Sequence, residues 1–431
     1  MKPFDSGPYR IQHLAEADGG GGAVMAAHKL HMELRTLGVD SHMLVARKRG
    51  NDPTTVQLSL SNDYFSRMRR HFIKRSLKRR LRRYDNVKSQ TLEIFTQGKG
   101  ILGTDLIRNL PNADLFVLHW SDLLIDYRSL FSSIDPKTPV VWRMPDMNAM
   151  TGGCHYAWNC ERFTEACGHC PQLGSQTEKD LSRSVFENKR IAYSNRDPKW
   201  TCFVAPSKWI ANEARRSSLL REFEIVNIPT GVDCDRFKPT NVAETRQRYG
   251  LPLDKPLMLF VAHSGSNYRK GYDLLSSALT ALPPENQFAL AAIGNAIPDQ
   301  DLGVRCYSLG RIEDQDELAS LYSAADVFVH PAREDNFPNV VLEAMASGTP
   351  SIVFDVGGLP EMVHNGKSGF VVPRESVVAL RDGIISLLSN VDKRKEMSHY
   401  CRELALAEFR LDRMAERYRD LFSTMTARGS K

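Results

Sequence analysis

The chain alternates strand patterns with helix patterns in two successive series, and this alternation restricts the fold more than any other feature. The first series opens with the apolar run RIQHL (10–14), a glycine loop, a helical pattern that stops at Gly38, and the strand pattern SHMLVA (41–46). It continues to TCFVAPSKWI (201–210), where a strand pattern runs into a helix. Strands that alternate with helices predict a parallel sheet covered on both faces.

A segment punctuated by prolines and glycine separates the two series, and we interpret FEIVNIPTGVDCDRFKP (223–239) as an interdomain connection. The second series runs from the buried strand pattern PLMLFVAHS (256–264) to charged helical sequence from Val377 onward. A chain of 431 residues is too long for one ordinary core, so two domains of about 200 residues each are expected.

We therefore predict an α/β protein with two doubly wound, Rossmann-like domains. The first domain covers residues 1–228 and the second covers residues 229–408. Residues 409–431 form a C-terminal helical segment, with a return to the first domain as an open alternative. Ligands of such sheets bind outside the carboxyl ends of the strands, so the loops there are the candidate sites.

The composition is that of a soluble globular protein, with 42% hydrophobic and 25% charged residues. No stretch approaches the roughly 18 apolar residues that a membrane-spanning helix needs. The first residues, MKPFDSGPYR, contain no apolar run of the kind found in secretory signals. We expect a cytoplasmic protein.

Residues 65–84 form a strongly basic segment with helical periodicity. Ten lysines and arginines and no acid lie between Arg67 and Arg83, so the net charge of +6 leaves −4 for the rest of the chain. Apolar residues recur at helical spacings at Phe65, Met68, Phe72, Leu77, Leu81 and Tyr84. We interpret the segment as an amphipathic helix that binds an anionic membrane surface. A solvated helix packed on its own domain is the alternative. We expect no nucleic-acid partner, because no nucleic-acid motif accompanies the charge.

Four of the eight cysteines lie within seventeen residues, at Cys154, Cys160, Cys167 and Cys170. A cytosolic chain keeps its thiols reduced, and the final CGHC has the spacing common in structural zinc sites. Four thiolates would close a tetrahedral zinc site, with His155 or His169 as a substitute for one of them. Free buried thiols and disulfides are the other interpretations.

Gly19–Gly22 precede a helix, and exposed amides at a helix N-terminus form an anion site. A dinucleotide-binding loop requires a third glycine where this chain has Val24 or Met25. The second strand ends in Arg47-Lys48-Arg49 rather than in an acid, which argues against NAD. NADP binding and a ligand-free turn remain as alternatives.

Two loops of the second series carry charged residues at predicted strand ends. Arg269 and Lys270 lie just before a helix, where two cations suit a diphosphate that gains charge as it departs. In HPAREDNFPNVVLEAMASGTP (330–350), Asp335 follows a strand and Glu343 lies about one turn into the next helix. Carboxylates bind sugar hydroxyls through directional hydrogen bonds. By spacing alone, Glu343 on a helix surface is the default interpretation, and a solvated loop is the alternative for Arg269 and Lys270.

Residues 325–372 resemble the nucleotide-binding domain of retaining GT-B glycosyltransferases of family 4. Those enzymes carry an acid, seven residues and a glutamate, then a helix of small residues and a Gly-Gly-x-x-Glu turn. Residues 19–45 are similar to the glycine loop and helix of that family, and IPTGVDCDRFKP (228–239) is similar to its interdomain joint. TGGCHYAWNCERFTEACGHCPQLGS (151–175) resembles a subgroup that acts in bacterial exopolysaccharide and cell-wall assembly.

The resemblance implies a hexosyltransferase (EC 2.4) whose two GT-B domains face a cleft and which uses a nucleotide diphosphate sugar without a catalytic metal ion. It implies that Glu343 binds the ribose, that Asp335 binds the hexose, and that Lys270 and Arg269 stabilise the departing diphosphate. It also implies that the backbone of the first domain approaches the donor phosphates at Gly21, Gly22 and Ala23.

Two positions depart from the family pattern. Asp335 stands where glutamate is usual, and Pro145 stands where the subgroup usually has a histidine before the aspartate. His119, on a neighbouring loop, is our candidate to replace that histidine in catalysis. We expect a lipid-linked or surface-polysaccharide acceptor, bound by the first domain at the inner face of the cell membrane. The alternative function is a GT-B scaffold without catalysis in a polysaccharide assembly complex. Pro145 supports this alternative, and the intact Lys270 and Glu343 argue against it.

Overall fold

The computed structural model describes residues 9–264, 266–283, 285, 287–295 and 302–428. The chain divides into two compact units, one of Met1–Pro229 with Met414–Lys431 and one of Thr230–Arg413. Residues 1–8 of the predicted first domain, and Gly265 in the loop before Arg269, lie outside the described residues.

The first unit contains a seven-stranded parallel sheet. In chain order the strands are β1 (Arg10–Ala17), β2 (Asp40–Arg47), β3 (Thr55–Gln57), β4 (Leu115–Leu118), β5 (Val140–Arg143), β6 (Thr201–Ala205) and β7 (Glu224–Asn227). They lie in the order β3-β2-β1-β4-β5-β6-β7. The order reverses between β1 and β4, which is where open sheets of this kind bind ligands.

Helices connect these strands. They are α1 (Gly22–Thr36), α2 (Tyr64–Arg82), α3 (Gly103–Arg108), α4 (Tyr127–Ser133), α5 (Leu181–Tyr193) and α6 (Lys208–Arg216), with 3₁₀ turns at Asn148–Met150, Arg162–Thr164 and Pro198–Trp200. The side chains of Asp63, Asp126, Asp180 and Ser207 each accept a backbone N–H of the helix that follows, which stabilises its first turn. Strands β4, β5 and β6 are buried along their whole length, as expected for strands covered on both faces.

The second unit contains a six-stranded parallel sheet. Its strands are β8 (Leu257–Ser264), β9 (Ala289–Asn295), β10 (Arg305–Gly310), β11 (Val327–His330), β12 (Ser351–Phe354) and β13 (Gly369–Val372), in the order β10-β9-β8-β11-β12-β13. The order reverses between β8 and β11. The predicted α/β fold with two doubly wound parallel sheets is therefore confirmed.

The second unit contains seven complete helices among its described residues, and an eighth begins there. They are α7 (Val242–Arg248), α8 (Tyr272–Thr280), α9 (Gln315–Ala324), α10 (Asn339–Ala346), α11 (Leu359–Met362), α12 (Val377–Leu388), α13 (Val391–Glu408) and α14 (Leu411–Ala427), with a 3₁₀ turn at Tyr268–Lys270. From Met414 onward, α14 belongs to the first unit. Among the described residues, no helix is both long enough and apolar enough to cross a membrane.

The predicted interdomain connection 223–239 needs a correction. Its first residues, Glu224–Asn227, form β7, an edge strand that pairs with β6 alone. The strand is only partly buried, so it lacks the long apolar run that identifies the central strands.

The remainder of the connection is held by Arg402. Its guanidinium donates to the carbonyls of Cys234, Phe237 and Ala346, the last of these at the end of α10.

Candidate functional site

Asp335 is the centre of a charged cluster in the second unit. It lies in the loop between β11 and α10, and its Oδ2 is 2.7 Å from Lys270 Nζ, 3.3 Å from Arg269 Nη1 and 3.1 Å from His330 Nε2. Lys270 follows β8 and His330 ends β11, so the cluster forms where the strand order reverses. Three residues predicted from the sequence, Arg269, Lys270 and Asp335, are thus brought together.

The cluster holds Asp335 as a carboxylate, although this side chain is only 6% exposed. Burial alone would raise the pKa of Asp335, but Lys270 and Arg269 beside it lower that pKa well below its usual range. Burial lowers the pKa of His330, so its ring is neutral at pH 7. An ionised carboxylate only accepts hydrogen bonds. The ring proton of His330 is therefore on Nε2, which donates a hydrogen bond to Asp335 Oδ2.

The two cations of the cluster differ in accessibility. Arg269 also donates to the carbonyl of Glu334 at 3.0 Å, and its side chain is 10% exposed. The side chain of Lys270 is 20% exposed. Arg269 therefore joins the two loops, and Lys270 is the more accessible cation for a ligand.

Two glycines allow neighbouring loops to pack tightly against the segment that carries Asp335. Gly271 and Gly357 both adopt positive φ angles, of 68° and 55°. A Cβ on Gly271 would lie 1.9 Å from the carbonyl oxygen of Pro331, and a Cβ on Gly357 would lie 1.8 Å from that of Asp335. Only glycine fits at both positions.

Glu343 is buried inside the unit. It is 6% exposed, and Tyr322 Oη donates to its Oε2 at 3.2 Å. The alternative interpretation of Glu343 as a surface carboxylate of α10 is therefore wrong. Sequence reasoning identified neither Tyr322 nor His330 as a partner of these acids.

Glu334 is a second buried acid that sequence reasoning missed. It is 5% exposed, and its Oε1 lies 3.2 Å from Arg374 Nη2. Burial raises the pKa of Glu334 to about 7, because it outweighs the attraction of Arg374. In the sequence, only its position directly before Asp335 indicated that Glu334 belongs to the site.

In the first unit, the glycine loop leads directly into α1. Gly21 is extended and exposed, Gly22 is exposed and Ala23 is half-buried. The guanidinium of Arg49 lies against Gly20, so closely that a Cβ there would be 1.9 Å from Arg49 Nη1. A cation beside exposed amides suits an anion. The binding of donor phosphates by Gly21, Gly22 and Ala23 stays a prediction.

His119 is buried just after β4. It is 1% exposed, its Nε2 lies 2.8 Å from His13 Nδ1, and the two rings stack with centroids 5.2 Å apart. Burial lowers the pKa of His119 well below its usual range, so the ring is neutral. Its catalytic role stays a prediction.

His119 lines a small cavity of about 20 Å³ within the first unit, together with Trp120, Asp122, Pro145 and Asp146. Although residue 145 is a proline, the structure places another histidine beside Asp146. His155 Nδ1 lies 2.7 Å from Asp146 Oδ2, and His155 Nε2 lies 2.8 Å from Thr96 Oγ1. From the sequence alone, His155 was a candidate only as a zinc ligand that could replace one of the thiolates.

The four clustered cysteines are free, with Cys167 and Cys170 buried and Cys154 and Cys160 half-buried. Burial raises the pKa of the Cys167 thiol to about 12, and it raises that of Cys154 too. Within the described part of the chain, no three histidine, cysteine, aspartate or glutamate side chains are grouped to hold a metal ion. The zinc site therefore stays a prediction from spacing, and no step below uses it.

The basic helix divides its apolar residues between two environments. Leu81 and Tyr84 pack against a buried cluster that includes Phe95, while Phe65 and Phe72 are 81% and 59% exposed. The inner side of α2 is also fixed by Arg69 and Arg70, which both pair with the buried Asp105.

The second unit is similar to a known family of proteins. Residues 241–404, which include Arg269, Lys270, Asp335 and Glu343, match the family model described as "Glycosyl transferases group 1". The predicted resemblance to glycosyltransferases is thus supported in the second unit.

Two relatives that the chain matches are glycosyltransferases by name. The chain is 31% identical over 217 residues to a D-inositol 3-phosphate glycosyltransferase of Xylanimonas cellulosilytica, covering 47% of this chain and 51% of that protein. It is 32% identical over 211 residues to a GDP-mannose-dependent alpha-(1-6)-phosphatidylinositol monomannoside mannosyltransferase of Mycobacterium tuberculosis, covering 45% and 54%. The matched part therefore spans about half the length of each relative.

A solved structure matches over nearly the whole chain. Anabaena HepE, crystallised with UDP-glucose, superposes with a TM-score of 0.64 over 96% of this chain and 100% of its own. At 14% identity this likeness shows the fold alone, and it confirms the predicted two-domain GT-B fold.

The raised pKa of Glu334 predicts a dependence of stability on pH. Between about pH 4.5 and pH 7 the folded protein keeps a proton on Glu334 that the unfolded chain has lost, so this acid lowers the free energy of unfolding as pH rises through that window. Glu334→Gln removes the ionisation and should raise the free energy of unfolding at about pH 8 by about 2 kcal/mol. Urea denaturation followed by far-UV circular dichroism at about pH 5 and about pH 8 measures this difference.

Glu396→Gln, at an exposed position on α13, is the matched control and should leave the pH dependence unchanged. Identical pH dependence in wild type and Glu334→Gln would contradict the prediction.

Proposed function

We propose that this chain is a hexosyltransferase that moves a sugar from a nucleotide diphosphate sugar to a hydroxyl acceptor and retains the anomeric configuration. The observation that carries the proposal is the buried cluster of Lys270, Arg269 and His330 around Asp335, inside the segment that matches the glycosyltransferase family. An ionised acid with cations, at the carboxyl ends of the strands of a doubly wound sheet, suits a ligand that combines hydroxyls and phosphates.

Lys270 is the residue we assign to the leaving group. As the glycosidic bond breaks, negative charge grows on the departing diphosphate, and a cation placed there beforehand stabilises the transition state more than the ground state. Lys270 is anchored by Asp335 at 2.7 Å, yet it remains partly exposed. Arg269 adds positive charge from a more buried position.

Glu343 and Asp335 are the acids that we assign to the donor's hydroxyls. Glu343 is oriented by Tyr322 and would accept from the ribose. Asp335 is held by its cations and by the N–H of Asn336, and would accept from the hexose. Aspartate is one methylene shorter than the family's glutamate, so we expect a donor sugar that approaches this loop closely.

We infer candidates for the donor base and the acceptor from the names of the relatives. One relative is named for GDP-mannose and HepE was crystallised with UDP-glucose, so both UDP and GDP sugars are candidates. The relatives are named for inositol 3-phosphate and for a phosphatidylinositol mannoside. A lipid-linked or surface-polysaccharide acceptor is consistent with these names and with the resemblance of residues 151–175. The non-catalytic scaffold is not favoured, because the charged cluster around Asp335 is complete.

Removal of the charge on Glu343 should weaken nucleotide binding. Glu343→Gln replaces an ionised acceptor of the ribose hydroxyls, a loss of about 1.5–3 kcal/mol for a charge-assisted hydrogen bond. Calorimetric titration with UDP, GDP and ADP compares the variant with wild type. Glu396→Gln is the control for an exposed glutamate in the same unit. If Glu343→Gln binds nucleotides as well as wild type, the assignment fails.

Lys270→Ala should lower turnover more than it lowers donor affinity. The expected loss in kcat is about 10²-fold or more, because the diphosphate gains its charge in the transition state. Release of UDP from UDP-glucose, or of GDP from GDP-mannose, is measured with and without lipid extract, and donor affinity is measured separately. Lys395→Ala, at an exposed lysine of α13, controls for general loss of charge. A kcat equal to that of wild type rules out this role for Lys270.

We propose further that α2 binds an anionic membrane and thereby brings the enzyme to a lipid-linked acceptor at the inner face of the cell membrane. Phe65 and Phe72 are seven residues apart, on one side of the helix, and both are exposed. Exposed cations lie along the same segment, at Arg67, Lys74, Arg75, Lys78, Arg79, Arg82 and Arg83. Exposed aromatic residues flanked by cations are typical of helices that lie in the membrane interface.

The membrane proposal predicts salt-sensitive binding to anionic vesicles. Each cation near the surface contributes about 1 kcal/mol, and the Debye length falls from about 10 Å at 0.1 M salt to about 3 Å at 1 M. Co-sedimentation with vesicles of phosphatidylglycerol and phosphatidylcholine measures the bound fraction. Replacement of four exposed cations of α2 by glutamine should release the protein at 0.1 M salt while nucleotide binding is unchanged. These four are Lys74, Arg75, Lys78 and Arg79.

A variant with equal loss of charge elsewhere controls for net charge and should still bind. It replaces the exposed lysines Lys137, Lys238, Lys367 and Lys395 by glutamine. Arg80 is left unchanged in both variants, because it donates to Ser184. Wild-type protein that does not bind anionic vesicles even at low salt would show that α2 is ordinary solvated surface.

A further inference from the structure

We propose that a cavity of the first unit, lined by residues of α2, α4 and α5 and by the loop that precedes α3, binds a phosphate ester that also carries hydroxyl groups. Arg80, Lys99 and Arg128 bind the phosphate, and Gln97 accepts a hydrogen bond from a hydroxyl. Glycerol phosphate is the simplest such molecule, and it occurs both free and as the headgroup of a membrane lipid. The residues assigned to the sugar donor in the second unit play no part in this site, so the inference does not rest on the proposed glycosyl transfer.

Three cations line the cavity, and no acid in the part of the chain that the structure describes neutralises them. Arg80 donates to Ser184 Oγ at 2.7 Å, whereas the side chains of Lys99 and Arg128 make neither a hydrogen bond nor an ion pair with the described residues. Cations that share one cavity repel one another, and a bound anion removes this repulsion. A phosphate offers several acceptor oxygens and therefore suits three such donors.

The two acids in the wall of the cavity already have other partners. Asp126 Oδ1 accepts from the N–H and from the hydroxyl of Ser129, at 3.0 Å and 2.8 Å. Glu187 accepts from Arg190 Nε at 2.7 Å, and its second oxygen lies 4.0 Å from Arg183 Nη1. Because these carboxylates are engaged elsewhere, the three cations remain available to a ligand.

Gln97 supplies an uncharged acceptor in the same wall. Its side chain is buried, and its Nε2 donates to the carbonyl of Leu77 at 2.9 Å, which fixes the orientation of the amide. Its Oε1 is buried and has no hydrogen-bond partner among the described residues. Native structures seldom leave such an atom unpaired. A hydroxyl of a ligand in the cavity is the donor that we assign to it.

The backbone around the cavity is closely packed. Lys99 pairs with Asp126 in an isolated antiparallel bridge, two residues before Arg128. A Cβ on Gly100 would lie 2.6 Å from the carbonyl carbon of Ile125, so only glycine allows the two segments to approach this closely. The cations are therefore held near one another before any ligand binds, which lowers the entropic cost of binding.

The size and the lining of the cavity indicate the kind of ligand. Its volume of about 470 Å³ lies within the range of small-molecule sites. Ser184 and Asn188 add uncharged polar groups that suit hydroxyls. Among the described lining residues there is no aromatic side chain on which a nucleobase could stack. The cavity therefore suits a small polyol phosphate better than a nucleotide.

Calorimetric titration of the full chain with sn-glycerol 1-phosphate, and separately with inorganic phosphate, tests this inference. Wild type should bind the glycerol ester saturably and more tightly than inorganic phosphate. The double variant Lys99→Gln with Arg128→Gln should bind the ester about tenfold or more weakly, because two cations are lost from the site. Gln97→Met should reduce the preference for the ester over inorganic phosphate, since it removes the acceptor of the hydroxyl. The double variant keeps the test valid if Gln97→Met does not fold, because both of its substituted side chains are exposed.

A variant with the same loss of charge elsewhere in the first unit is the matched control. It replaces the exposed Lys137 and Lys179 by glutamine and should bind the glycerol ester as wild type does. Titration with UDP and GDP on the same samples measures the donor site, and nucleotide binding should be unchanged in every variant. Failure of this inference and failure of the proposed function are therefore distinguishable.

Vesicles distinguish the two sources of the ligand. Phosphatidylglycerol carries a headgroup with hydroxyls, whereas phosphatidylserine has the same net charge without them. Co-sedimentation that favours phosphatidylglycerol in wild type, and loses this preference in the Lys99 and Arg128 double variant, identifies a lipid headgroup. Equal binding to both vesicles, together with binding of free glycerol 1-phosphate, identifies a soluble phosphate ester. The inference is overturned if wild type shows neither kind of binding, or if the double variant binds as tightly as wild type.

Discussion

The ionised side chain of Asp335, buried in the second unit, is the interaction on which the rest of the candidate site depends. A buried charge is tolerated only when cations and hydrogen-bond donors surround it. Around Asp335 these groups come from the ends of two adjacent strands, β8 and β11. The loop after β8 is therefore tied to the loop after β11. Loss of one partner leaves a charge that is only partly compensated, so substitutions in this cluster act on stability as well as on ligand binding.

The two units present opposite chemistry at equivalent places in their sheets. In the second unit, cations gather around a carboxylate where the strand order reverses, and this suits a charged phosphate. In the first unit, the corresponding reversal between β1 and β4 lies beside the buried, neutral histidines His13 and His119.

The sequence was informative where a residue's role depends on its own segment. The alternating pattern predicted both sheets, and the position of Lys270 and Asp335 at strand ends marked them as candidates. The sequence did not predict roles that depend on contacts between distant segments. Thr96 bonds to His155, 59 residues further along the chain, and Tyr322 bonds to Glu343, 21 residues further along. The pKa of Glu334 depends on burial, which no local pattern shows. The edge strand β7 was missed because a half-buried strand has no long apolar run.

The path of the chain has a consequence for biosynthesis. The second unit is one continuous segment, Thr230–Arg413, whereas the first unit needs both Met1–Pro229 and the helix that begins the final segment at Met414. That helix buries Tyr418, Phe422 and Met425 in the first unit. During synthesis on the ribosome, the part of the first unit before Pro229 emerges ahead of the second unit, but it lacks these side chains until the segment from Met414 has been made. The first unit is therefore completed only after the second unit has been synthesised, and the apolar surface that Tyr418, Phe422 and Met425 cover stays exposed until then.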